Sequence, residues 1–191
     1  MYVVEAYESI VSVALEVEGF VVAGPVKFPM PVHVVKQNRT ETQIHGFEID
    51  LVGARADCLV LATVKSYFGS RGVVAAHVTG ESEPQHKGYR LIHDPAFRQE
   101  MVRLAAERYG YSVDRVRVRL YVGKFAAPVG KVNQRNLIES WCARTRAGGG
   151  PIQVLGPREV ADQLKAAAET TQYRDHAVLA TVKLLRAVGD L

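Results

Sequence analysis

The chain has 191 residues, of which 48% are hydrophobic and 23% are charged, an ordinary balance for a soluble globular protein. Its 24 lysines and arginines exceed its 20 aspartates and glutamates, which gives a formal net charge of +4. This length suits one well-buried α/β domain with an appended subdomain. The modest positive charge permits nucleic-acid binding without requiring it. No apolar run approaches the roughly 20 residues that span a bilayer, so the composition argues against a membrane protein.

The N-terminal residues and the two cysteines indicate in which cellular compartment the protein is expected. The first residues lack the charged, apolar and small-residue parts of a signal peptide, and we therefore expect a cytoplasmic protein. The two cysteines, Cys58 and Cys142, are far apart and form no Cys-x-x-Cys pair. A zinc site and a disulfide framework are therefore not expected, and each thiol is interpreted as a small buried or half-buried side chain.

The first predicted element is an amphipathic helix over residues 3–18, which Gly19 ends as a left-handed cap. Three prolines in the region 20–37 restrict it to a short extended segment followed by a strand near Val32–Lys36. The polar run 37–42 then predicts a turn.

Two paired strands are predicted next, near 44–53 and 57–65. Side chains alternate between the two faces of a strand, so Asp50 lies on the polar face of the first strand. Thr63 and Lys65 lie together on one face of the second strand. If the polar faces coincide, a carboxylate, a hydroxyl and an ammonium group meet at one end of a small sheet. That arrangement suits a divalent cation held beside a phosphodiester.

A glycine-rich segment and a helix follow. Four glycines interrupt residues 66–90 and predict a loop, with a short helical turn near Val73–Val78. Asp94, followed by a proline, is typical of a helix N-terminus. The predicted helix runs from 95 to 109, and Gly110 ends it.

Residues 113–125 alternate in a way that predicts a strand. Its outward-facing residues are basic: Arg115, Arg117 and Arg119. A solvated basic face of this kind could contact phosphates, and plain solvation is the alternative.

The rest of the chain predicts a strand between helices. The expected helices are 133–146, 157–169 and 174–188, and the expected strand is 152–156 after a GGGP break at 148–151. The order strand, helix, strand, helix over 115–169 implies a parallel crossover unit. We accordingly expect an α/β core over 1–156 and a C-terminal helical extension over 157–191 that packs on it.

Residues 48–52 read EIDLV and residues 59–65 read LVLATVK. This pair of runs resembles the PD-(D/E)xK nuclease superfamily, which includes restriction endonucleases and Holliday-junction resolvases. In that pattern one strand ends in Asp and the next ends in Glu/Asp-x-Lys, but the acidic position here holds Thr63. The resemblance covers roughly residues 1–125. It implies an α/β fold with a restriction-endonuclease-like core, a mixed central sheet flanked by helices, and extra C-terminal helices.

The resemblance also implies an activity and a ligand set. The activity is hydrolysis of phosphodiester bonds in DNA, with Mg²⁺ or Mn²⁺ as cofactor. Asp50 would be the principal metal ligand and the carbonyl of Val64 a second. Glu8, in the N-terminal helix, would hold the metal directly or through water, and Glu5 is its rival one turn earlier.

Lys65 and Thr63 complete the candidate catalytic set. Lys65 would orient the nucleophile or stabilise negative charge beside the metal. A neutral hydroxyl is a poor metal ligand beside a carboxylate, and one interpretation is that the missing acid stands elsewhere in the sequence. The candidates are Glu81, Glu83 and Glu48. Two alternatives stay open: the protein binds nucleic acid without cutting it, or the threonine is an engineered inactivating change.

Further nucleic-acid contacts are expected in the segment after the second strand. The candidates there are Ser66, Arg71, His77 and Lys87. A flexible loop without such a role is the alternative.

Three classes of function therefore stand side by side. The first is a metal-dependent nuclease acting on DNA, and the second is a catalytically degenerate nucleic-acid-binding or assembly module on the same fold. The third is a small α/β protein whose apolar C-terminal helices mediate assembly. A homodimer is compatible with each of them.

Overall fold

The computed structural model describes residues 6–36, 39–82, 87–130, 132–169 and 176–189. Within these ranges the α-helices α1–α7 are Ala6–Val17, Ala75–Thr79, Arg90–His93, Pro95–Tyr109, Gln134–Arg144, Pro157–Glu169 and Ala177–Ala187. The strands β1–β9 are Val21–Ala23, Val26–Lys36, Arg39–Ile49, Leu51–Arg55, Cys58–Lys65, Val116–Val122, Arg146–Ala147, Gly150–Pro151 and Gln153–Leu155. Short 3₁₀ turns lie at Lys87–Tyr89 and Val113–Arg115.

A five-stranded mixed sheet forms the centre of the fold, in the order β1-β4-β5-β6-β9. The strands β1, β4 and β5 pair antiparallel, whereas β5, β6 and β9 pair parallel. Helices α1, α6 and α7 cover one face, and α2, α3, α4 and α5 cover the other. The predicted α/β class with a mixed central sheet flanked by helices is therefore confirmed, as is the parallel crossover from β6 through α5 to β9.

The central position of β5 follows from its sequence. Residues 58–65 read CLVLATVK, and the six residues between the two ends are all buried. A strand covered by helices on both faces needs such a continuous apolar run rather than strict alternation. The helices thus bury β5 along its length and leave Lys65, at its carboxyl end, next to solvent.

Strands β2 and β3 form a separate two-stranded antiparallel sheet, here called the ribbon. Its pairing runs from Val26 opposite Ile49 to Lys36 opposite Arg39. At its base Phe28 is buried, with the guanidinium of Arg108 on α4 5.3 Å from its ring centroid. Towards the tip β3 is largely exposed. The ribbon therefore extends away from the central sheet.

The ribbon corrects three predicted boundaries. The strand predicted near Val32–Lys36 begins earlier, at Val26, and includes Pro29 and Pro31. The predicted strand 44–53 is in fact two strands, because the chain bends at Asp50 and passes from the ribbon into the central sheet. The predicted turn 37–42 is also too long, since pairing starts again at Arg39. Residues 40–44 contain two threonines and an isoleucine, and these β-branched side chains favour extended pairing over a loop.

The other predicted elements are found with small shifts at their ends. The predicted strand 113–125 is shorter, because its first residues form a 3₁₀ turn and β6 begins at Val116. Gly19 has a φ of +88°, as expected for a left-handed cap. The starts of the predicted helices 3–18 and 174–188 lie outside the described residues. Among those that are described, no helix has both the length and the apolar character needed to cross a bilayer.

Candidate functional site

Asp50 lies at the junction between the ribbon and the central sheet. It is the single residue between β3 and β4, and it lies opposite the end of β5. The chain leaving β1 passes directly behind it, because an ideal Cβ on Gly24 would come within 2.3 Å of the Asp50 carbonyl oxygen. Only a glycine allows the two backbone segments to approach so closely.

Three groups at the end of β5 contact the carboxylate of Asp50. The Thr63 Oγ1 donates a hydrogen bond to Oδ2 at 3.1 Å, and the Val64 backbone N–H donates to the same oxygen at 2.6 Å. The Lys65 Nζ lies 3.5 Å from Oδ2. The predicted coincidence of the two polar faces is therefore confirmed. All three contacts fall on Oδ2, so Oδ1 has no protein donor among the described residues.

The Asp50–Lys65 pair is partly shielded from water. The exposed fractions of the two side chains are 21% and 17%, and Thr63 beside them is buried. The Lys65 Nζ also lies 5.9 Å from the ring centroid of Tyr89. Burial, followed by a hydrogen bond with Tyr67, raises the pKa of Tyr89, so this phenol stays neutral beneath the ammonium group.

A cavity of about 290 Å³ opens at this point. Its lining includes five residues of the predicted site, Glu8, Asp50, Val64, Lys65 and Ser66, together with Tyr67, which was not predicted. The N–H and C=O groups of one residue in a β-strand point to the same side. The Val64 N–H points towards Asp50, just before the first residue of β4, so the Val64 carbonyl points to that side as well. Two carboxylates and the Val64 carbonyl thus lie at one cavity.

The loop after β5 is held tightly and carries strain at the cavity. Tyr67 has a φ of +45°, which is unusual for an aromatic residue. An ideal Cβ on Gly123 would lie 2.5 Å from the Ser66 carbonyl oxygen, so this loop runs directly against the end of β6. The Gly123 N–H donates to the Lys65 carbonyl at 2.8 Å. The structure therefore fixes the main chain on both sides of Lys65.

The glutamates proposed as a further acidic metal ligand lie in different parts of the structure. Glu48 lines an adjoining cavity of about 160 Å³ together with Asp50, although its carboxylate also lies 4.0 Å from the Lys27 Nζ. Glu81 is exposed and lines neither cavity. Glu5 and Glu83 lie outside the described residues. In the part of the chain that the structure describes, no three His, Cys, Asp or Glu side chains are placed to share one metal ion.

The chain matches no protein-family model, no curated protein and no solved structure.

The donor set at the cavity suits a hard divalent cation. Mg²⁺ is usually held by one or two carboxylates and keeps several waters, with substrate phosphates completing its shell. Glu8 and Asp50 supply the two carboxylates, and the Val64 carbonyl adds a third oxygen at the same cavity. The residues present therefore fit Mg²⁺ or Mn²⁺, even though Thr63 contributes no charge.

The predicted nucleic-acid contacts do not form one surface. Ser66 lines the cavity at Asp50, and Lys87 lines the adjoining one. Arg71 is exposed on the loop that follows β5. Arg115 and Arg117 lie near the start of β6, which is roughly 15–20 Å from Lys65 at 3.3 Å per residue. His77, on α2, is half-buried.

Arg119 corrects the prediction of a solvated basic face. Its side chain is only 13% exposed, because helices α1 and α6 cover that face of β6. Both terminal nitrogens donate to Glu18 at 2.9 Å, and Nε donates to Gln153. Burial alone would lower the pKa of the guanidinium, but Glu18 and Tyr121 raise it. The side chains of β6 alternate between its two faces as predicted, but alternation alone cannot show that helices cover the face that carries Arg119.

Sequence reasoning missed two basic residues near the site, Arg90 and His93. Both lie on α3 and line the cavity next to the ribbon. The signal for Arg90 was present, because it stands four residues before the helix-capping Asp94 and pairs with it at 3.1 Å. His45, which the sequence offers as the histidine nearest the motif and as either a general base or a plain exposed side chain, lines the same cavity from the ribbon.

Proposed function

We propose that the protein is a metal-dependent nuclease that hydrolyses phosphodiester bonds in DNA. The observation that supports this most directly is the pairing of Asp50 and Lys65 at 3.5 Å, at a cavity that Glu8 also lines. The cavity lies at the carboxyl end of the parallel strand β5, the edge at which open α/β sheets bind ligands. The finer fold assignment, a restriction-endonuclease-like core, is part of the same proposal and is supported by the mixed sheet and by the position of α1.

In this proposal the protein groups have separate tasks. Asp50 holds the cation through the oxygen that has no protein donor, and Glu8 and the Val64 carbonyl complete the protein side of the shell. When bound, Mg²⁺ would supply an activated water and neutralise charge on the phosphate. Lys65, restrained by Asp50 and Tyr89, places its ammonium group where a phosphate oxygen would become more negative.

The experiment is a cleavage assay on single-stranded, duplex and branched DNA, and on thymidine 5′-(4-nitrophenyl phosphate), with Mg²⁺ or Mn²⁺. We expect cleavage that EDTA abolishes, and a loss of roughly 100-fold or more in Asp50→Asn and in Lys65→Ala. Lys165→Ala is the matched control, because it removes one lysine from an exposed position on α6. A crystal soaked in Mn²⁺ should show anomalous density beside Asp50.

The proposal fails if none of these substrates is cut with either metal. It also fails if cleavage persists unchanged in Asp50→Asn. Anomalous density elsewhere, with none beside Asp50, would place the cation in a different site.

A second candidate function is nucleic-acid binding without cleavage. Thr63 favours it, since the residue contributes a neutral hydrogen bond where a second carboxylate would raise cation affinity. This candidate predicts DNA binding that weakens with salt, without any metal-dependent turnover. Affinity that does not change between low and high salt would argue against it.

A further inference from the structure

Three neighbouring cavities that share lining residues run side by side along the candidate site and are together called the cleft. The largest, about 730 Å³, lies between the ribbon and the 3₁₀ turn at 87–89. It shares Phe47, Lys87, Gly88 and Arg90 with the adjoining cavity, which in turn shares Asp50 and Lys65 with the cavity at Glu8. The Asp50–Lys65 pair therefore lies between two cavities of the cleft rather than at the closed end of a single pocket.

The three lysine and arginine side chains of this cleft are matched in number by three carboxylates, but the basic side chains are concentrated next to the ribbon. The basic residues that line it are His45, Lys65, Lys87, Arg90 and His93, and the acidic ones are Glu8, Glu48 and Asp50. Lys87 is exposed, and it lines two of the three cavities. Among the described residues that line the largest cavity, the charged ones are Lys87 and Arg90, and His45 and His93 lie beside them. This distribution favours a polyanion that enters from the ribbon side.

The floor of the cleft is apolar and aromatic, a property that phosphate contacts alone do not require. Phe47 and Val32 line the largest cavity, and the Phe47 ring meets Phe97 edge-on at 4.9 Å between centroids. The Arg90 guanidinium lies 4.4 Å from the Phe97 centroid and 5.2 Å from that of Phe47. Asp94 restrains the same guanidinium, so a flat cationic group is held over an aromatic surface.

We propose that this cleft binds a single strand of DNA and leads it past Asp50. A duplex hides its bases in the stack and offers mainly phosphates to a basic surface. An unpaired strand exposes its bases, which stack on aromatic rings and on arginine planes while the backbone follows positive charge. The cleft offers both kinds of contact together. The inference rests on the proposed function only for what happens at Asp50, since binding in the cleft needs no metal.

Gly88 is a position in the cleft at which the effect of positive and of negative charge on DNA binding can be compared. It lines two of the cavities, and an ideal Cβ on it would meet no atom within 4 Å, so a side chain can be introduced there without a clash at Cβ. Gly88→Lys and Gly88→Glu therefore differ in charge at one open position. Lys87→Ala removes one cation from the cleft, and Lys165→Ala removes one from the opposite side of the sheet.

The measurement is fluorescence anisotropy of labelled 15-nucleotide oligo(dT), and of a 15-base-pair duplex, in EDTA. We expect the single strand to bind about tenfold more tightly than the duplex. Lys87→Ala should weaken single-strand binding about threefold or more and reduce the slope of log K against log salt by about 0.7, whereas Lys165→Ala should do neither. Gly88→Lys should strengthen binding and Gly88→Glu should weaken it, with equal melting temperatures.

Equal or tighter binding of the duplex would overturn the inference. So would identical effects of Lys87→Ala and Lys165→Ala, or effects of the two Gly88 variants with the same sign. Hydrolysis of the small thymidine ester depends on the cavity at Asp50 and not on the largest cavity of the cleft, next to the ribbon. Cleavage of the ester without a preference for single strands would refute single-strand binding in the cleft and leave the proposed nuclease activity standing. A preference for single strands without any cleavage would refute the nuclease activity and leave single-strand binding standing.

Discussion

The Thr63 hydroxyl donates to the Asp50 carboxylate at 3.1 Å, from a position two residues before Lys65. The contact orients Asp50 but brings no negative charge to the cavity. Beside it the Lys65 ammonium group already neutralises part of the Asp50 charge. In the proposed nuclease, the affinity for the cation would therefore be limited by the residue at position 63.

Thr63→Glu should raise the affinity for Mn²⁺ at least about tenfold, because a second carboxylate increases the ligand charge at the same cavity. Isothermal titration calorimetry of the metal alone measures this directly. Thr63→Gln is the matched control, since it has the same size without the charge. Equal affinities of the Glu and Gln variants would show that position 63 does not face the cation.

Gly24→Ala should lower the free energy of unfolding by about 1–3 kcal/mol, since the new methyl group would lie 2.3 Å from the Asp50 carbonyl oxygen. Urea unfolding measures the loss. Gly69→Ala is the control, because a Cβ there would meet nothing within 4 Å. The change at Gly24 should also lower Mn²⁺ affinity, as the main chain at Asp50 must shift. Equal stability of the two variants would contradict the close approach.

The Asp50–Lys65 pair could be predicted from sequence, whereas the ribbon could not. Alternation with a period of two places Asp50, Thr63 and Lys65 on polar faces, and a short turn fixes which strands meet. No local pattern indicates that the chain changes sheets at Asp50, since residues on both sides of it are extended. The pairing of Glu18 with Arg119 joins residues 101 positions apart, beyond the reach of any periodicity.

Arg119→Ala should lower the free energy of unfolding by about 2 kcal/mol, because it leaves the Glu18 carboxylate without its charged donors. A double-mutant cycle with Glu18→Gln should show positive coupling, measured by urea unfolding. DNA affinity should stay at the wild-type value, in contrast to that of Lys87→Ala. A variant that keeps its stability but loses DNA binding would restore Arg119 as a phosphate contact.

Asp94 should make stability depend on pH in the acid range. Its carboxylate accepts a hydrogen bond from the Phe97 N–H at 3.0 Å and pairs with Arg90. Burial raises the pKa of this carboxyl group, but the Phe97 and Arg90 contacts outweigh burial and hold it below the usual value. Its contribution is therefore complete above the ordinary carboxyl pKa of about 3.9, and it is lost as pH falls through the lower folded value.

Asp94→Ala should cost about 1 kcal/mol of stability at pH 7, a typical value for loss of a helix cap. The difference from the wild type should shrink at pH 3, as the wild-type carboxylate takes up its proton. Asp94→Ser keeps a capping oxygen without the charge, so its deficit should vary less with pH. Urea unfolding at the two pH values tests both, and a deficit in Asp94→Ala that grows on acidification would contradict the assignment.

The junction at Asp50 has a mechanical consequence. Each strand of the ribbon has 11 residues and spans roughly 37 Å at 3.4 Å per residue. Asp50 connects its second strand to the central sheet, and Gly24 and Pro25 connect its first strand to β1, so a swing of the outer ribbon must be absorbed by the φ and ψ angles at these two junctions. Because Gly24 packs against the Asp50 carbonyl, a ligand held at the tip of the ribbon would act on the main chain that carries the Asp50 carboxylate.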